Sequence, residues 1–478
     1  MPDRPLPPAT AFKPAVDREI PVYSVALGLT MPARAMVPSE NARGMRQAAS
    51  LKQTLNPGYA TTGHMRSISM PTTHSRRDFL KTGLAATAVL IAGAKTARAN
   101  QKPGLFKKSR IKSLELPNRI IKASTWCGTG DGKGFVTDRT LSMYSELAKG
   151  GVGLILSGGQ YVMSNGVGLP YAVGNCDDSQ AEGLKKLADI VHKENCKIVA
   201  QLSHQLARAN TKLFSKESDE VWGASAIPYS PDSVVPKEMT KSDIARYVEA
   251  FAAASARSSR CGFDGVMVHA AHSFGVHQFL SPAWNQRGDS YGGSSENRYR
   301  VVGEVLEAIK GAVGPDFPIM VKLSVHDFVK GGLEPPESLE IARRLEQDGV
   351  AAIQVSACCT ISNRDQHCPK EEILEPKDEG YLLDFTQFIK EGVKIPVIAV
   401  GGIRSFSTAE NILKDAKADY VSMARPFIRE PHLVKRWQNG NTAKATCISC
   451  NGCYETGMQG LGISCKIERM LKEQQKKV

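Results

Sequence analysis

Eight short apolar runs recur along the chain, and a polar turn and a helical pattern follow each run. The runs are rich in Val, Ile, Leu and Ala at every position, which is typical of parallel strands buried on both faces. They are residues 118–124, 152–159, 197–204, 263–270, 318–324, 350–356, 395–402 and 418–426. Helical patterns lie between them, for example at 140–149, 180–194, 242–260, 296–312 and 337–348. Eight strand–helix units predict an α/β fold of the TIM (β/α)8 barrel type.

A doubly wound parallel sheet is the alternative fold for alternating strands and helices. The count of eight units disfavours it, as does the absence of a G-x-G-x-x-G turn after the first run. In a TIM barrel the functional residues follow the carboxyl ends of the strands. We therefore expect a catalytic site at that end of the barrel, which is called the barrel mouth here.

Three of the ten histidines of the chain lie in one stretch, "VHAAHSFGVHQFLSP" (268–282). His269 ends the fourth apolar run and His272 begins the loop after it, so both are predicted to face the barrel mouth. The alternative is a pair of core histidines bonded to the backbone. A metal site is disfavoured, because no third ligand follows at a familiar spacing. His277 is predicted to pack on the helix after the loop.

An export signal is predicted at residues 70–99. The twin arginine of "SRRDFLK" (75–81) precedes the apolar run "GLAATAVLIAGA" (83–94) and the small-residue pattern "ARA" before Asn100. These features resemble a Tat signal cleaved after Ala99, which implies a periplasmic protein. A core helix or a membrane span is the alternative, but the run is too short to cross a bilayer of about 30 Å.

The net charge of +13 does not indicate a nucleic-acid-binding protein. Residues 1–99 hold 13 Lys and Arg but only five Asp and Glu, so most of the excess lies ahead of the predicted cleavage site. The remainder has no long basic run with interleaved aromatic residues. Residues 1–69 show no sustained period and are predicted to be either a disordered extension or the result of a start codon assigned too early.

Four of the eleven cysteines are grouped in a C-terminal segment, residues 446–478. Cys447, Cys450, Cys453 and Cys465 have the spacing C-x2-C-x2-C-x11-C. Four thiolates this close together suit a [4Fe–4S] cluster or a zinc ion. Free or paired thiols remain the alternative, because an oxidising compartment also allows disulfides.

The stretch "HAAHSFGVHQFLSPAWNQRGDSYGGSSENRYR" (269–300) resembles the strand-four motif of the Old Yellow Enzyme family of flavoproteins. The resemblance extends from about residue 103 to 466 and includes "NRIIKASTWCG", "QLSHQLAR", "AVGGIR" and "SMARPFIREPHL". It is strongest to the barrel domain of 2,4-dienoyl-CoA reductase and trimethylamine dehydrogenase. The resemblance implies an FMN-binding TIM barrel over residues 100–445, with FMN held non-covalently at the barrel mouth.

The resemblance also implies which residues contact FMN. Five family contacts are matched here: the segment beside the flavin ring, the small residue that ends strand two, the amide on the pyrimidine edge, the cation near flavin N1 and the phosphate site. The matching residues follow in the same order. They are Ala123, Ser124 and Thr125; Gly158; Gln201; Lys322; and Gly401, Gly402 and Arg425. Their chemistry agrees with these roles, because a cation stabilises an anionic reduced flavin and a phosphate favours backbone N–H groups with a guanidinium. The alternatives are a tight turn at Gly401 and Gly402, a surface cation at Lys322, a structural ion pair at Arg425 and a satisfied core amide at Gln201.

His269 and His272 match the family pair that hydrogen-bonds the carbonyl oxygen of the substrate. Three features depart from the family. Ser273–Phe274 replaces the usual Gly-Tyr, so the tyrosine hydroxyl that protonates the substrate is missing, and Trp126 occupies a position where a Thr or Cys tunes the flavin. The cysteine spacing also lacks one residue relative to the dienoyl-CoA reductase pattern.

The expected function is therefore that of an FMN-dependent oxidoreductase acting on an activated C=C bond of an enone or dienoyl type, or catalysing the reverse oxidation. NAD(P)H is the usual electron donor of the family, and export would instead require a periplasmic redox partner. An electron-transfer flavoprotein with an iron–sulfur cluster and no ene-reductase activity is the alternative, and a flavin-independent binding barrel is a second. Neither nucleic acid nor a stable membrane span is expected.

Overall fold

A closed parallel barrel forms the centre of the structure, which is a computed structural model describing residues 104–215, 219–358 and 369–476. The strands are β1 Ser109–Ile111, β2 Leu114–Leu116, β3 Ile120–Lys122, β4 Leu154–Leu156, β5 Gln160–Tyr161, β6 Lys197–Ser203, β7 Trp222–Gly223, β8 Lys237–Glu238, β9 Val266–Ala270, β10 Ile319–Ser324, β11 Ala352–Ser356, β12 Val397–Ala399 and β13 Tyr420–Met423. Eight of them pair in the order β4-β3-β13-β12-β11-β10-β9-β6, and β4 pairs with β6 to close the barrel. This confirms the predicted TIM barrel, with each of the eight strands inside its apolar run.

Helices separate successive barrel strands and cover the outside of the barrel. They are α1 Asp138–Lys149, α2 Ala181–His192, α3 Lys241–Arg260, α4 Gly275–Leu280, α5 Ser295–Val313, α6 Pro335–Gln347, α7 Leu383–Gly392, α8 Phe406–Lys414, α9 Arg425–Arg429, α10 Leu433–Gln438 and α11 Lys466–Gln475. Local sequence fixes several starts. Thr240 and Asp243 form a capping box at α3, in which each side chain accepts a backbone N–H of the other residue.

Side chains alternate between the two faces of each barrel strand. Outward residues such as Ile198 and Val268 join the large core beneath the helices. Inward residues such as Val199 and Met267 form a second core inside the barrel. The hairpin β1–β2 buries Ile111, Leu114 and Leu116 in this inner core and so closes the end of the barrel opposite the mouth.

The C-terminal segment packs back on the loop that follows β3. The backbone N–H of Ile463 donates to the carbonyl oxygen of Cys127 at 2.8 Å, and the N–H of Gly462 donates to Gly128 at 3.0 Å. The predicted extension at 1–69 and the predicted Tat signal at 70–99 lie outside the described residues. Within the described ranges, no helix combines the length and the apolar character needed to cross a membrane.

Candidate active site at the barrel mouth

Three predicted site residues meet on neighbouring strands of the barrel. Lys322 on β10 is in register with His269 on β9 and with Gln354 on β11, so the three side chains share the inner face. Gln201 lies on β6, the other neighbour of β9. All four side chains are buried. The structure thus brings together Gln201, His269 and Lys322, which lie far apart in the sequence.

The imidazole of His269 is a neutral hydrogen-bond donor. Its Nδ1 accepts the backbone N–H of Ala271 at 3.3 Å, so the ring proton resides on Nε2. Burial lowers the pKa of His269 well below its usual value, and the nearby charges of Lys322 and Arg208 lower it further. The ring therefore stays uncharged at physiological pH.

His272 lies beside His269 but approaches the mouth from the loop. The two ring centroids are 5.4 Å apart in an edge-to-face arrangement. The Nε2 atom of His272 lies 2.6 Å from Oγ of Ser356 at the end of β11. Burial, followed by the charge of Lys322, lowers the pKa of His272 well below its usual value. The site accordingly contains two adjacent neutral imidazoles.

Phe274 fills the position where the family pattern has a tyrosine. Its ring centroid lies 4.2 Å from that of His269, and the guanidinium of Arg208 lies 4.5 Å from the phenyl centroid. Phe274 thus presents an apolar ring to the histidine pair and carries no group that can donate a proton.

Two buried amide oxygens at the mouth fit a polar cofactor. Within the described ranges, Oε1 of Gln201 and Oε1 of Gln354 have no hydrogen-bond donor. A buried acceptor without a partner costs about 1–3 kcal/mol. A ligand that donates a hydrogen bond to this oxygen removes that cost. The N–H group on the pyrimidine edge of FMN is such a donor. The free oxygen of Gln201 therefore agrees with its predicted role.

The segment predicted to run beside the flavin lies against the end of strand β4. A Cβ atom at Gly158 would lie 2.9 Å from the carbonyl oxygen of Thr125, so only glycine fits this approach. The Nζ atom of Lys122, a residue not singled out from sequence, donates to the carbonyl oxygen of Ala123 at 2.6 Å. Thr125 thus lies next to Gly158, and the bond from Lys122 fixes Ala123 in the same segment.

The predicted phosphate turn after β12 has an unusual backbone. Gly401 and Gly402 have φ values of +123° and +69°, which favour glycine. The N–H groups of Arg404 and Ser405, two and three residues after Gly402, do not face an open site, because both donate to the carboxylate of Glu379 at 2.9 Å. Glu379 thus occupies the start of α8, and a phosphate at this turn would have to contact N–H groups that precede Arg404.

Arg425, the predicted phosphate arginine, lies at the start of α9 and is buried. Its Nη1 atom donates to the carbonyl oxygens of Lys370 and Ser449 at 2.7 and 3.1 Å and to Oδ1 of Asn451 at 2.7 Å. The guanidinium therefore links the barrel to the cysteine segment.

The four C-terminal cysteines are free thiols that line one pocket, which Arg425 also lines. Burial raises the pKa of Cys447, and it raises that of Cys453 to about 12. No three His, Cys, Asp or Glu side chains of the described residues converge closely enough for a single metal ion. As placed among the described residues, the four thiols therefore do not form a zinc site.

A stacked aromatic pair joins this segment to the mouth. Trp126 directly follows the predicted flavin segment, and its ring stacks on Tyr454 with centroids 6.4 Å apart. Tyr454 directly follows Cys453. The Nε1 atom of Trp126 donates to the carbonyl oxygen of Pro170 at 3.0 Å, which fixes the indole.

Sequence reasoning missed Arg208, Ser324, Ser356 and Gln354 at the mouth. A signal was present for three of them, because Ser324, Gln354 and Ser356 lie at or near the carboxyl ends of barrel strands. Arg208 lies in a loop, and its role depends on a carbonyl group that folding brings near it.

An α/β barrel with paired neutral histidines, a buried lysine and an unpartnered buried amide at its mouth defines the class of flavin-binding oxidoreductase barrels. The sequence matches the NADH:flavin oxidoreductase / NADH oxidase family over residues 104–444, and the chain belongs to this family. The predicted family is thereby confirmed.

The chain is similar to enzymes and structures of different lengths. It is 34% identical over 371 residues to an NADH oxidase of Thermoanaerobacter brockii, covering 76% of this chain and 56% of that protein. It is 34% identical to an NADPH dehydrogenase of Geobacillus sp. (strain WCH70), covering 74% of this chain and 98% of that protein. Among solved structures, a 2-naphthoyl-CoA reductase in complex with 2-naphthoyl-CoA has a TM-score of 0.70 and 28% identity, covering 76% and 56% of the two chains. The chain thus spans only about half of its longer relatives.

Proposed function

We propose that this protein is an FMN-dependent oxidoreductase that reduces a C=C bond conjugated to a carbonyl group, or catalyses the reverse oxidation. The observation that carries the proposal is the pair of neutral imidazoles beside Lys322, of which His269 is buried and His272 is partly buried. Two neutral donors suit a carbonyl oxygen, because they stabilise the negative charge that develops there without supplying a full positive charge.

The residues that would hold FMN are Ala123, Ser124, Thr125, Gly158, Gln201, Lys322, Gly401, Gly402 and Arg425. When bound, FMN would supply the hydride chemistry of its ring. Within this frame, Nε2 of His269 donates to the substrate oxygen. His272, oriented by its contact with Ser356, would donate to the same oxygen. Both bonds withdraw electron density from the conjugated C=C bond, so its β-carbon accepts hydride more readily.

Phe274 gives the site an apolar wall where related proteins have a proton donor. The α-carbon of the substrate must then be protonated by another group or by water. General acids contribute about 10²–10⁴-fold to such steps. This missing hydroxyl is the observation that favours the second candidate function, an electron-transfer flavoprotein without ene-reductase activity.

We further propose that the four cysteines bind a [4Fe–4S] cluster. Support comes from the donor set, since Cys447, Cys450, Cys453 and Cys465 line one pocket with the spacing C-x2-C-x2-C-x11-C. A cubane cluster separates its four thiolate ligands more widely than zinc does. The stacked pair Trp126–Tyr454 would then lie between the cluster and the flavin segment.

The identity of the electron donor depends on the compartment in which the protein acts. The names of the NADH oxidase and NADPH dehydrogenase relatives support a reduced nicotinamide. The Tat-like signal at 70–99 supports a periplasmic protein, for which a periplasmic redox partner delivering electrons through the cysteine segment replaces NAD(P)H.

The test is a visible spectrum of anaerobically purified protein with iron and sulfide assays, followed by turnover of cyclohexenone with NADH and NADPH. We expect flavin absorbance, about four irons per chain, and enone reduction that is lost in a His269→Ala, His272→Ala double variant. Cys453→Ser should remove the iron, whereas Cys196→Ser, a buried cysteine outside the cluster, should retain it. A flavoprotein that reduces no enone supports the electron-transfer alternative, and flavin without iron leaves the cysteines with a structural role.

A further inference from the structure

The turn that carries His272 is strained. His272 and Ser273 both have left-handed backbone conformations, with φ values of +61° and +59°. Neither is a glycine, and each such residue costs about 1–3 kcal/mol. Two in succession persist only where surrounding groups hold the backbone, so the contacts of this turn are informative about the site.

Side chains from two other strand-end regions bond the peptide groups of His272. Its N–H donates to Oγ of Ser324 at the end of β10, at 3.3 Å. Its carbonyl oxygen accepts Nη1 of Arg208, in the loop after β6, at 2.6 Å. The residue is thus fixed on both sides by side chains from outside its own loop.

Side chains of α4 bond the peptide groups of Ser273. Its N–H donates to Nδ1 of His277 at 2.9 Å, and its carbonyl oxygen accepts Nε2 of Gln278 at 2.8 Å. All four polar backbone atoms of the strained turn are therefore bonded to side chains. This corrects the simple packing role expected for His277 from sequence.

The bond from Ser273 fixes the tautomer of His277. A backbone N–H can only donate, so Nδ1 of His277 must be unprotonated and the ring proton must lie on Nε2. That atom lies 2.9 Å from Oδ1 of Asp327 in a completely buried ion pair, in which the two atoms are close but not aligned as a hydrogen bond. Asp327 is fixed in turn, because its Oδ2 accepts Oγ of Ser281 at 2.6 Å and the N–H of Leu333 at 2.9 Å.

We propose that Asp327 and His277 are positioning residues that set the geometry of His272 for substrate binding. Asp327 holds the proton of His277 on Nε2, Nδ1 is thereby kept as an acceptor, and the acceptor holds the Ser273 amide in the left-handed turn. The peptide that joins Ser273 to His272 then places the His272 imidazole near Ser356. This inference rests on the proposed function, because it requires that His272 contacts the substrate.

Two substitutions of His277 separate its hydrogen bond with Ser273 from its ion-pair contact with Asp327. In His277→Asn the amide oxygen can replace Nδ1 and accept from Ser273, but the link to Asp327 is lost. In His277→Gln the amide nitrogen can replace Nε2 and donate to Asp327, but the acceptor for Ser273 is lost. His192→Gln is the matched control, since His192 forms a 2.7 Å pair with Asp264 at the other end of the barrel.

The experiment uses the FMN-loaded protein and measures flavin content, kcat, KM and the dissociation constant of 4-hydroxybenzaldehyde, whose phenolate oxygen would accept from the histidine pair. The dissociation constant follows from the long-wavelength absorbance of a phenolate stacked on oxidised flavin. We expect His277→Gln to raise the dissociation constant of the phenol and to lower kcat/KM, each by on the order of 100-fold, while flavin content stays full. In His277→Asn both quantities should stay within about tenfold of the parent protein. His192→Gln should leave all four quantities unchanged.

Other outcomes discriminate between the two proposals. Equal losses in the Gln and Asn variants, or a loss of thermal stability without a change in phenol affinity, would overturn the positioning role. If the His277 variants do not fold, Asp327→Asn supplies the same test, with a loss of phenol affinity of about tenfold or more expected at full flavin content. His272→Ala is measured alongside. If it binds the phenol normally, the proposed function fails; if it does not but His277→Gln does, only the positioning role fails.

Discussion

The hydroxyl oxygen of Ser356 lies 2.6 Å from Nε2 of His272, although 83 residues separate them along the chain. This contact joins the sixth barrel strand to the loop after the fourth. It aligns the imidazole with the barrel mouth before any substrate is present, and it makes Ser356 part of the site.

Replacing Ser356 with alanine should lower kcat/KM by roughly tenfold, because an imidazole without this partner samples more orientations. Steady-state kinetics with cyclohexenone would measure the change. Ser338→Ala is the control, since Ser338 is equally buried and donates to a backbone carbonyl at 2.8 Å. Both variants should lose stability, but only Ser356→Ala should lose activity. Unchanged kinetics in Ser356→Ala would mean that the contact does not orient His272.

Acid should destabilise the fold through its buried histidines. The folded-state pKa of His204 is lowered to about 3 by burial, and those of His269 and His272 are lowered well below 6.5. Below pH 6.5 the unfolded chain binds protons that the folded chain does not. The free energy of unfolding should therefore fall as the pH falls below 6.5, and His204 alone should contribute about 1.4 kcal/mol per pH unit down to about pH 3.

The variant His204→Asn tests this linkage, because the amide oxygen can accept the Leu206 N–H that Nδ1 accepts at 3.0 Å. Urea unfolding as a function of pH should show a slope smaller by about 1.4 kcal/mol per pH unit in the acid range. At about pH 8 the imidazole is neutral in both states, so the two slopes should coincide there. Identical acid slopes would contradict a low folded-state pKa for His204.

Lys322→Met should lower the reduction potential of bound flavin. A buried cation stabilises the negative charge of reduced flavin, so its removal favours the oxidised form. We expect a shift of roughly 50 mV to lower potential, equal to about 2.3 kcal/mol for a two-electron couple. Spectroelectrochemistry measures it directly. A potential that does not move would place Lys322 outside the influence of the flavin.

Gly402→Ala should weaken FMN binding. The alanine would have to adopt a φ of +69°, and its Cβ atom would lie 3.0 Å from the Tyr381 ring, which would displace the turn. Gly349→Ala is the control, because Gly349 has a φ of +73° with nothing within 4 Å of the added atom. Each change should cost about 1–2 kcal/mol of stability, but only Gly402→Ala should release flavin more readily on dilution. Equal flavin retention would argue against a phosphate at this turn.

The barrel and its catalytic end could be predicted because parallel strands need continuous apolar runs and place their carboxyl ends together. His269 follows directly from that rule. The pairing of His277 with Asp327 could not be predicted, because it joins a short helix to a loop after another strand. Glu379 shows the same limit. Its two bonds to the start of α8 depend on the path of a loop rather than on any local pattern.

The position of the C-terminal segment was also beyond sequence reasoning. The cysteine spacing predicted a shared site, but not that Arg425 would bond Ser449 and Asn451, or that Trp126 would stack on Tyr454. These contacts depend on how a segment after the last barrel helix returns to the first barrel loop.

The hairpin β1–β2 fills the end of the barrel opposite the mouth with Ile111, Leu114 and Leu116. Reactants can therefore approach the proposed site from one side only. A hydride donor and a hydride acceptor that use the same face must then occupy it in alternation. Parallel lines in double-reciprocal plots are the expected signature. Each reactant should also inhibit at high concentration, because it then binds the oxidation state of the enzyme with which it does not react.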